Sequence, residues 1–193
     1  MGLDNDLYFV DLEKDAVWQL TDNPKGFAAL HPKISHNGKK LFWSERYEKG
    51  KGSRWGHWRL KLADIIIDSN GVHLENIKSL EPGGKCWYES HGFSQDDKVI
   101  YFSGNLLSRW ANDIFRCDLN GANLVPLTQD DDIWNEMAEL SPDGKWIAFI
   151  SSRFFNWKKR LGFLTLKTEI FFMDLNGRNI QRITHLNDDK HSY

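Results

Sequence analysis

Three copies of one turn-and-strand unit limit what this chain can fold into more than any other feature. In the clearest copy, Leu140-Ser141-Pro142-Asp143-Gly144-Lys145-Trp146-Ile147-Ala148-Phe149-Ile150-Ser151, a strand ends, the chain turns tightly, and a β-rich apolar run begins. Pro142 presets its own φ, Asp143 bonds local backbone, and Gly144 supplies the positive φ that closes the turn. Ile34-Ser35-His36-Asn37-Gly38 before Lys39-Lys40-Leu41-Phe42-Trp43-Ser44 is a second copy. Phe93-Ser94-Gln95-Asp96-Asp97 before Lys98-Val99-Ile100-Tyr101-Phe102-Ser103 is a third. A chain built this way is a repeat protein, and the repeat has to be read before any single residue.

A second unit interleaves with the first. Leu7-Tyr8-Phe9-Val10-Asp11-Leu12 leads through a polar turn to Ala16-Val17-Trp18-Gln19-Leu20-Thr21. Ile114 to Gly121 leads to Asn123-Leu124-Val125-Pro126-Leu127-Thr128, and Ile170 to Gly177 leads to Asn179-Ile180-Gln181-Arg182-Ile183-Thr184. A degenerate copy, Ala63 to Gly71, runs into Val72-His73-Leu74-Glu75-Asn76-Ile77-Lys78. Asn-Gly between two short apolar segments is a strong hairpin signal. The order is then strand, Ser-x-x-Gly-type turn, strand, longer loop, strand, Asn-Gly turn, strand. Asp11, Asp68, Asp118 and Asp174 mark the period at 57, 50 and 56 residues. That slightly exceeds the roughly 40–45 residues of a four-stranded propeller blade, and the excess sits in loops. A four-stranded meander cannot bury both faces alone, so the copies are expected to stack radially as an all-β propeller. Nine Trp and 13% aromatic residues agree with a β protein.

The strand count predicts the outer half of one blade at 7–21 and complete blades at roughly 28–80, 88–128 and 135–184, all in one unit spanning 1–193. Propellers close with about 4–8 blades. Three and a half blades imply an open arc or a fragment of a larger propeller, with apolar ends that need cover from a partner or from further copies. Trp43 and Trp146, inside predicted strands, are expected in the core.

Other classes are disfavoured. A formal charge of −2 provides no basic field for nucleic acid. No apolar run approaches membrane-spanning length, and Met1 to Asp6 lacks the basic start and apolar core of a signal peptide. Cys86 and Cys117 have neither metal-ligand spacing nor scaffold density and read as plain thiols. There is no Gly-x-Ser-x-Gly elbow, phosphate loop or His-Glu-x-x-His motif. If the propeller serves a peptidase, the catalytic domain lies elsewhere.

Leu140-Ser141-Pro142-Asp143-Gly144-Lys145, Ser151-Ser152-Arg153, Ile170 to Gly177 and Arg182-Ile183-Thr184 resemble the repeat of TolB-like β-propellers, a WD-repeat-like family. The resemblance covers most of the chain, is clearest in the last blade, and is weakest over 45–80. It implies the propeller fold and a periplasmic or secreted setting. Its members include a periplasmic translocation accessory that binds proteins, the propeller domains of serine peptidases, and lyases acting on uronic-acid sugars. Fold analogy does not choose among these.

Strand alternation locates a site more sharply. The two tight turns of each repeat point to one face of the disc, so the long loops share the other, and binding residues concentrate on such loops. The crossovers carry His31, Trp87-Tyr88-Glu89-Ser90-His91 and Trp134-Asn135-Glu136, which should approach the mouth of the central channel. The remaining loops carry Arg54-Trp55-Gly56-His57-Trp58-Arg59, Arg109-Trp110 and Phe154-Phe155-Asn156-Trp157-Lys158-Lys159-Arg160. Trp and Arg are enriched at protein–protein hot spots, so a binding scaffold with a protein partner is the first expectation, without catalysis or cofactor. The alternative is a carbohydrate-active propeller, with Trp stacking on sugar rings and Arg pairing with carboxylates. His31, Glu89, His91 and Glu136 would then act as acid and base or hold a divalent cation. Against both stand structural roles: aromatic packing between blades for Trp87 and Trp134, hydrogen-bonded structural histidines, capping by Glu89 and Glu136, and a solvated tip at 157–160.

Overall fold

The computed structural model describes residues 4–48, 57–108, 110–155 and 166–188. Its turns explain why three unlike tetrapeptides give one shape. Ser35, Ser94 and Ser141 donate through Oγ to Oδ1 of Asn37, Asp96 and Asp143 at 2.9, 2.7 and 2.6 Å. The same hydroxyls accept the N–H groups of Lys40, Val99 and Trp146 at 2.9, 3.0 and 3.0 Å. Asp97 stands where Gly38 and Gly144 stand, and adopts a left-handed φ of 57°. Its carboxylate accepts the N–H groups of His36 and Asn37 from the preceding turn, at 2.8 and 2.9 Å. Those bonds to a neighbouring sheet offset the strain of a non-glycine residue there.

Among the described residues there is no helix. Strands β1 (Tyr8–Asp11) and β2 (Ala16–Gln19) form a two-stranded sheet. Strands β3 (Ala28–Ile34), β4 (Lys40–Glu48), β5 (His57–Asp68) and β6 (Gly71–Leu80) form the first four-stranded sheet. Strands β7 (Tyr88–Phe93), β8 (Val99–Gly104), β9 (Asp113–Asp118) and β10 (Val125–Pro126) form the second. Strands β11 (Asn135–Leu140), β12 (Trp146–Ser151), β13 (Glu169–Asp174) and β14 (Gln181–Arg182) form the third. Every pairing within these sheets is antiparallel and sequential. The chain is an all-β, open propeller arc.

Each gap between successive sheets is filled by its own apolar cluster. Leu7, Phe9, Trp18 and Leu20 meet Leu41, Trp43, Ala63, Ile65 and Val72. Phe42, Trp58, Leu60, Leu62 and Leu80 meet Tyr88, Phe93, Ile100, Phe102 and Phe115. Tyr101, Ile114 and Leu127 meet Ala138, Ile147, Phe149, Phe171 and Met173. Strand alternation thus sends one half of each sheet's residues to the preceding neighbour and the other half to the next.

One expectation fails here. Trp43 is core, but Trp146 is 41% exposed. It opens β12 on the face of the last sheet that points away from the second, where no sheet of the described residues covers it. Within 45–80, where the family resemblance is weakest, β5 and β6 form the longest hairpin among the described residues, with strands of 12 and 10 residues.

A threefold clasp secures the outer strands. Thr21 and Thr128 donate to Oδ1 of Asp6 and Asp113 at 2.7 and 2.8 Å, and Thr184 donates to Oε2 of Glu169. Each threonine Oγ1 also accepts the next N–H along from its acid: Leu7, Ile114 and Ile170, at 2.9, 3.0 and 2.9 Å. Each acid in turn accepts an N–H two residues past its threonine, from Asn23, Asp130 or Leu186. Thr128→Val, which preserves shape but removes donor and acceptor, is expected to cost about 1–2 kcal/mol in urea unfolding. A midpoint equal to wild type would show that the clasp does not stabilise the fold.

Candidate functional site

The innermost strands β3, β7 and β11 each carry a β-bulge, between Leu30 and Lys33, Ser90 and Gly92, and Glu136 and Glu139. Bulges re-aim side chains. His31 and Met137, within two of them, take left-handed φ values of 54°. Ser90 Oγ donates to the His31 carbonyl at 2.8 Å, while Ser44 Oγ accepts the Ser90 N–H at 2.7 Å, joining the first two sheets.

This backbone brings His31 Nε2 to 3.4 Å from Glu89 Oε1. Glu89 is 4% exposed, and Ser103 Oγ donates to its Oε2 at 3.5 Å. Burial pushes the Glu89 carboxyl up to about 7, and the nearby Glu136 carboxylate pushes the same way. Burial and the charge of Lys33 lower His31. The contact therefore sets an imidazole whose protonation is disfavoured beside a carboxyl that titrates near neutrality. Lys33 on β3 pairs with Glu139 on β11, joining the first and third four-stranded sheets near the turn ends of these strands.

His91 is buried, and burial, with His31 and Lys33 adding, pushes its imidazole down to about 3. Its Nε2 has no hydrogen-bond partner among the described residues. Burial raises Glu136, opposed by the nearby Trp134 indole. Beside Glu89 a buried relay crosses to the third sheet. Asn112 Nδ2 donates to Ser103 Oγ at 3.1 Å and to the Asn135 carbonyl at 3.0 Å, and Ser151 Oγ donates to Asn135 Oδ1 at 2.7 Å.

The sequence-predicted residues therefore divide. His31, Glu89, His91 and Glu136 lie on the three inner strands, with Glu89 and His91 buried instead of open at the mouth. Trp58, expected on a loop, lies in β5 at 1% exposure, with its ring centroid 4.7 Å from that of Trp87. It belongs to the core because β5 begins at His57, before the expected loop ends. His57 is half-buried beside Tyr47, with ring centroids 6.4 Å apart. Trp134 is half-buried, and Trp110 is 57% exposed. Arg54, Trp55 and Arg109, and the loop tip Trp157-Lys158-Lys159-Arg160, lie outside the described residues.

Lys33 and the relay of Ser103, Asn112, Asn135 and Ser151 were missed. Their one sequence signal is a serine ending or interrupting each apolar second strand: Ser44, Ser103 and Ser151. On the loop face, Leu107, Trp110 and Phe154 are each more than half exposed. The Arg182 guanidinium lies 5.7 Å from the Phe154 ring centre. Among the described residues, no three or more His, Cys, Asp or Glu side chains come together as a metal-holding group.

No protein-family model matches the chain, and no curated protein matches it in sequence. Solved structures match it in shape. An oligogalacturonate lyase in complex with manganese matches with a TM-score of 0.59 at 15% identity, over 93% of this chain and 47% of that one. A puromycin-hydrolysing peptidase of Mycobacterium tuberculosis gives 0.62 at 13% identity, over 88% and 23%. Prolyl oligopeptidase B from Galerina marginata gives 0.56 at 15% identity, over 90% and 21%. The chain spans about half the length of that lyase and under a quarter of the peptidases. At these identities the likeness defines a fold class, the β-propeller, and leaves function to the residues.

Proposed function

We propose that the chain is a TolB-like binding propeller whose loop face docks a polypeptide partner. The observation that carries this reading is the exposure of Leu107, Trp110 and Phe154 on loops of two adjacent sheets. Meander topology sends those loops to the same face, and large apolar residues in such a position suit hot-spot contacts. A peptidase propeller would use such a face in the same way, with catalysis supplied by another domain.

The test is selection of displayed random peptides on the 193-residue chain, followed by affinity measurement on Trp110→Ala. Selected peptides are expected to lose roughly 2 kcal/mol, or about 30-fold in Kd. Peptides that bind the variant equally well would refute docking at this face.

The His31–Glu89 pair favours a second reading, a propeller acting on sugar acids. One group that accepts a proton and one that carries it near neutrality are what general acid–base chemistry requires. The matched lyase is named for oligogalacturonate, and this chain aligns over 93% of its own length with it. The described residues do not gather a set of metal ligands, and in this reading the pair itself carries the acid–base role. Oligogalacturonide turned over to an unsaturated product, with the activity lost in His31→Ala, would favour this reading; no turnover would remove it.

A further inference from the structure

The two end sheets of the arc display opposite halves of the interface that joins the sheets inside it. Counted from the turn serine, Trp146 and Ala148 of β12 occupy the positions of Val99 and Tyr101 of β8. Counted from the clasp acid, Ile170 and Phe172 of β13 match Ile114 and Arg116 of β9. In the second sheet this face is covered: Tyr101 and Ile114 are buried against Ile147, Phe149 and Phe171. In the third sheet it is open, with Ile170 and Phe172 each 40% exposed.

The complementary half lies on the two-stranded β1–β2 sheet. Tyr8 and Val10 stand two and four residues beyond Asp6, as Phe115 and Cys117 stand beyond Asp113 and Phe171 and Met173 beyond Glu169. Those four residues are buried, and Phe171 and Met173 pack directly on the preceding sheet. Tyr8, Val10 and Val17, by contrast, are each more than half exposed. Contiguous exposed apolar faces mark interaction sites.

We infer that the β1–β2 hairpin of one copy docks on the open β13–β14 face of a second copy, reproducing the sheet-to-sheet contact already present three times within the chain. The partner is argued from that continuity: the two faces carry the same repeat positions as the buried pairs. The hairpin corresponds to outer strands, so it covers the outer half of the face around Ile170, Phe172 and Ile183. The contact is heterologous, with different surfaces on the two copies, and closes a ring if the second pair of ends also meets. It does not depend on the partner proposed for the loop face.

The decisive experiment is light scattering on wild type, on Phe172→Glu and on Tyr8→Lys. Wild type is expected to associate with rising concentration, and each variant alone to be monomeric. Mixing the two variants is expected to restore a 1:1 complex and nothing larger, because the mixture holds one intact pair of faces. Ile170→Glu and Val10→Lys give the same test should either first variant lose its circular dichroism spectrum. Wild type that stays monomeric at every concentration, or variants that associate alone, would overturn the inference.

Discussion

Gly177→Ala is expected to destabilise the chain by about 3 kcal/mol, while Gly38→Ala costs about 1 kcal/mol. Both glycines sit in turns with nearly the same left-handed φ, 75° and 72°. A Cβ at Gly38 would meet nothing within 4 Å. At Gly177 it would stand 2.1 Å from the Leu127 carbonyl oxygen, which is backbone of the preceding sheet and cannot step aside. The first substitution therefore measures backbone strain alone, and the second adds the cost of prising two sheets apart. For a chain of this length the difference corresponds to a fall in Tm of roughly 4–8 °C beyond that of Gly38→Ala. Equal effects at the two sites would mean that the hairpin turn does not set the spacing between sheets. Gly71, whose Cβ would meet the Trp18 ring, makes a comparable close approach two interfaces earlier, there against a side chain.

Glu89→Gln is expected to become progressively more stable than wild type as pH rises. Burial, reinforced by Glu136, raises the Glu89 carboxyl from 4.5 to about 7. Between those values the folded chain binds more protons than the unfolded chain, so wild-type stability falls as pH rises and the loss is complete above pH 7. Glutamine has no charge to desolvate and lacks this loss. The stability difference between variant and wild type should therefore grow by about 3 kcal/mol between pH 4.5 and pH 8. His91 acts in the opposite sense. Its imidazole is lowered from 6.5 to about 3, so it takes stability away as pH falls through that window, in variant and wild type alike. Urea unfolding at several pH values reads the difference directly. A difference independent of pH would place Glu89 in an ordinary, solvated carboxyl environment.

The repeat was legible because its turns carry their own chemistry. Ser94-Gln95-Asp96-Asp97 lacks glycine yet follows the pattern, since the Ser–Asx bond, more than the glycine, fixes the shape. Burial was less legible wherever it depended on a neighbour. Trp146 lies in a strand as the periodicity requires, but a strand has two faces, and its face has no sheet of the described residues over it. Trp58 looked like a loop residue because Gly56 and flanking arginines suggested one, whereas β5 had already begun. The clasps escaped notice because their partners stand fifteen residues apart and each looks like an ordinary polar strand end. At the channel mouth, sequence supplied the residue types but not their contacts. Bulges in three strands decide that His31 reaches Glu89 and that His91 turns inward.

The clasps also govern how the loop face is built. Asp6 and Asp113 do more than hold a threonine, because each grips an N–H at the start of the passage to the next sheet, and Glu169 grips the corresponding N–H after β14. That passage begins at an anchored point, whatever residues follow. Its length and chemistry are thereby uncoupled from strand register, so a crossover can be exchanged like a cassette while the sheets remain in place. One framework can then present unrelated binding surfaces, which is how a repeat so uniform on its turn side can be so varied on the other.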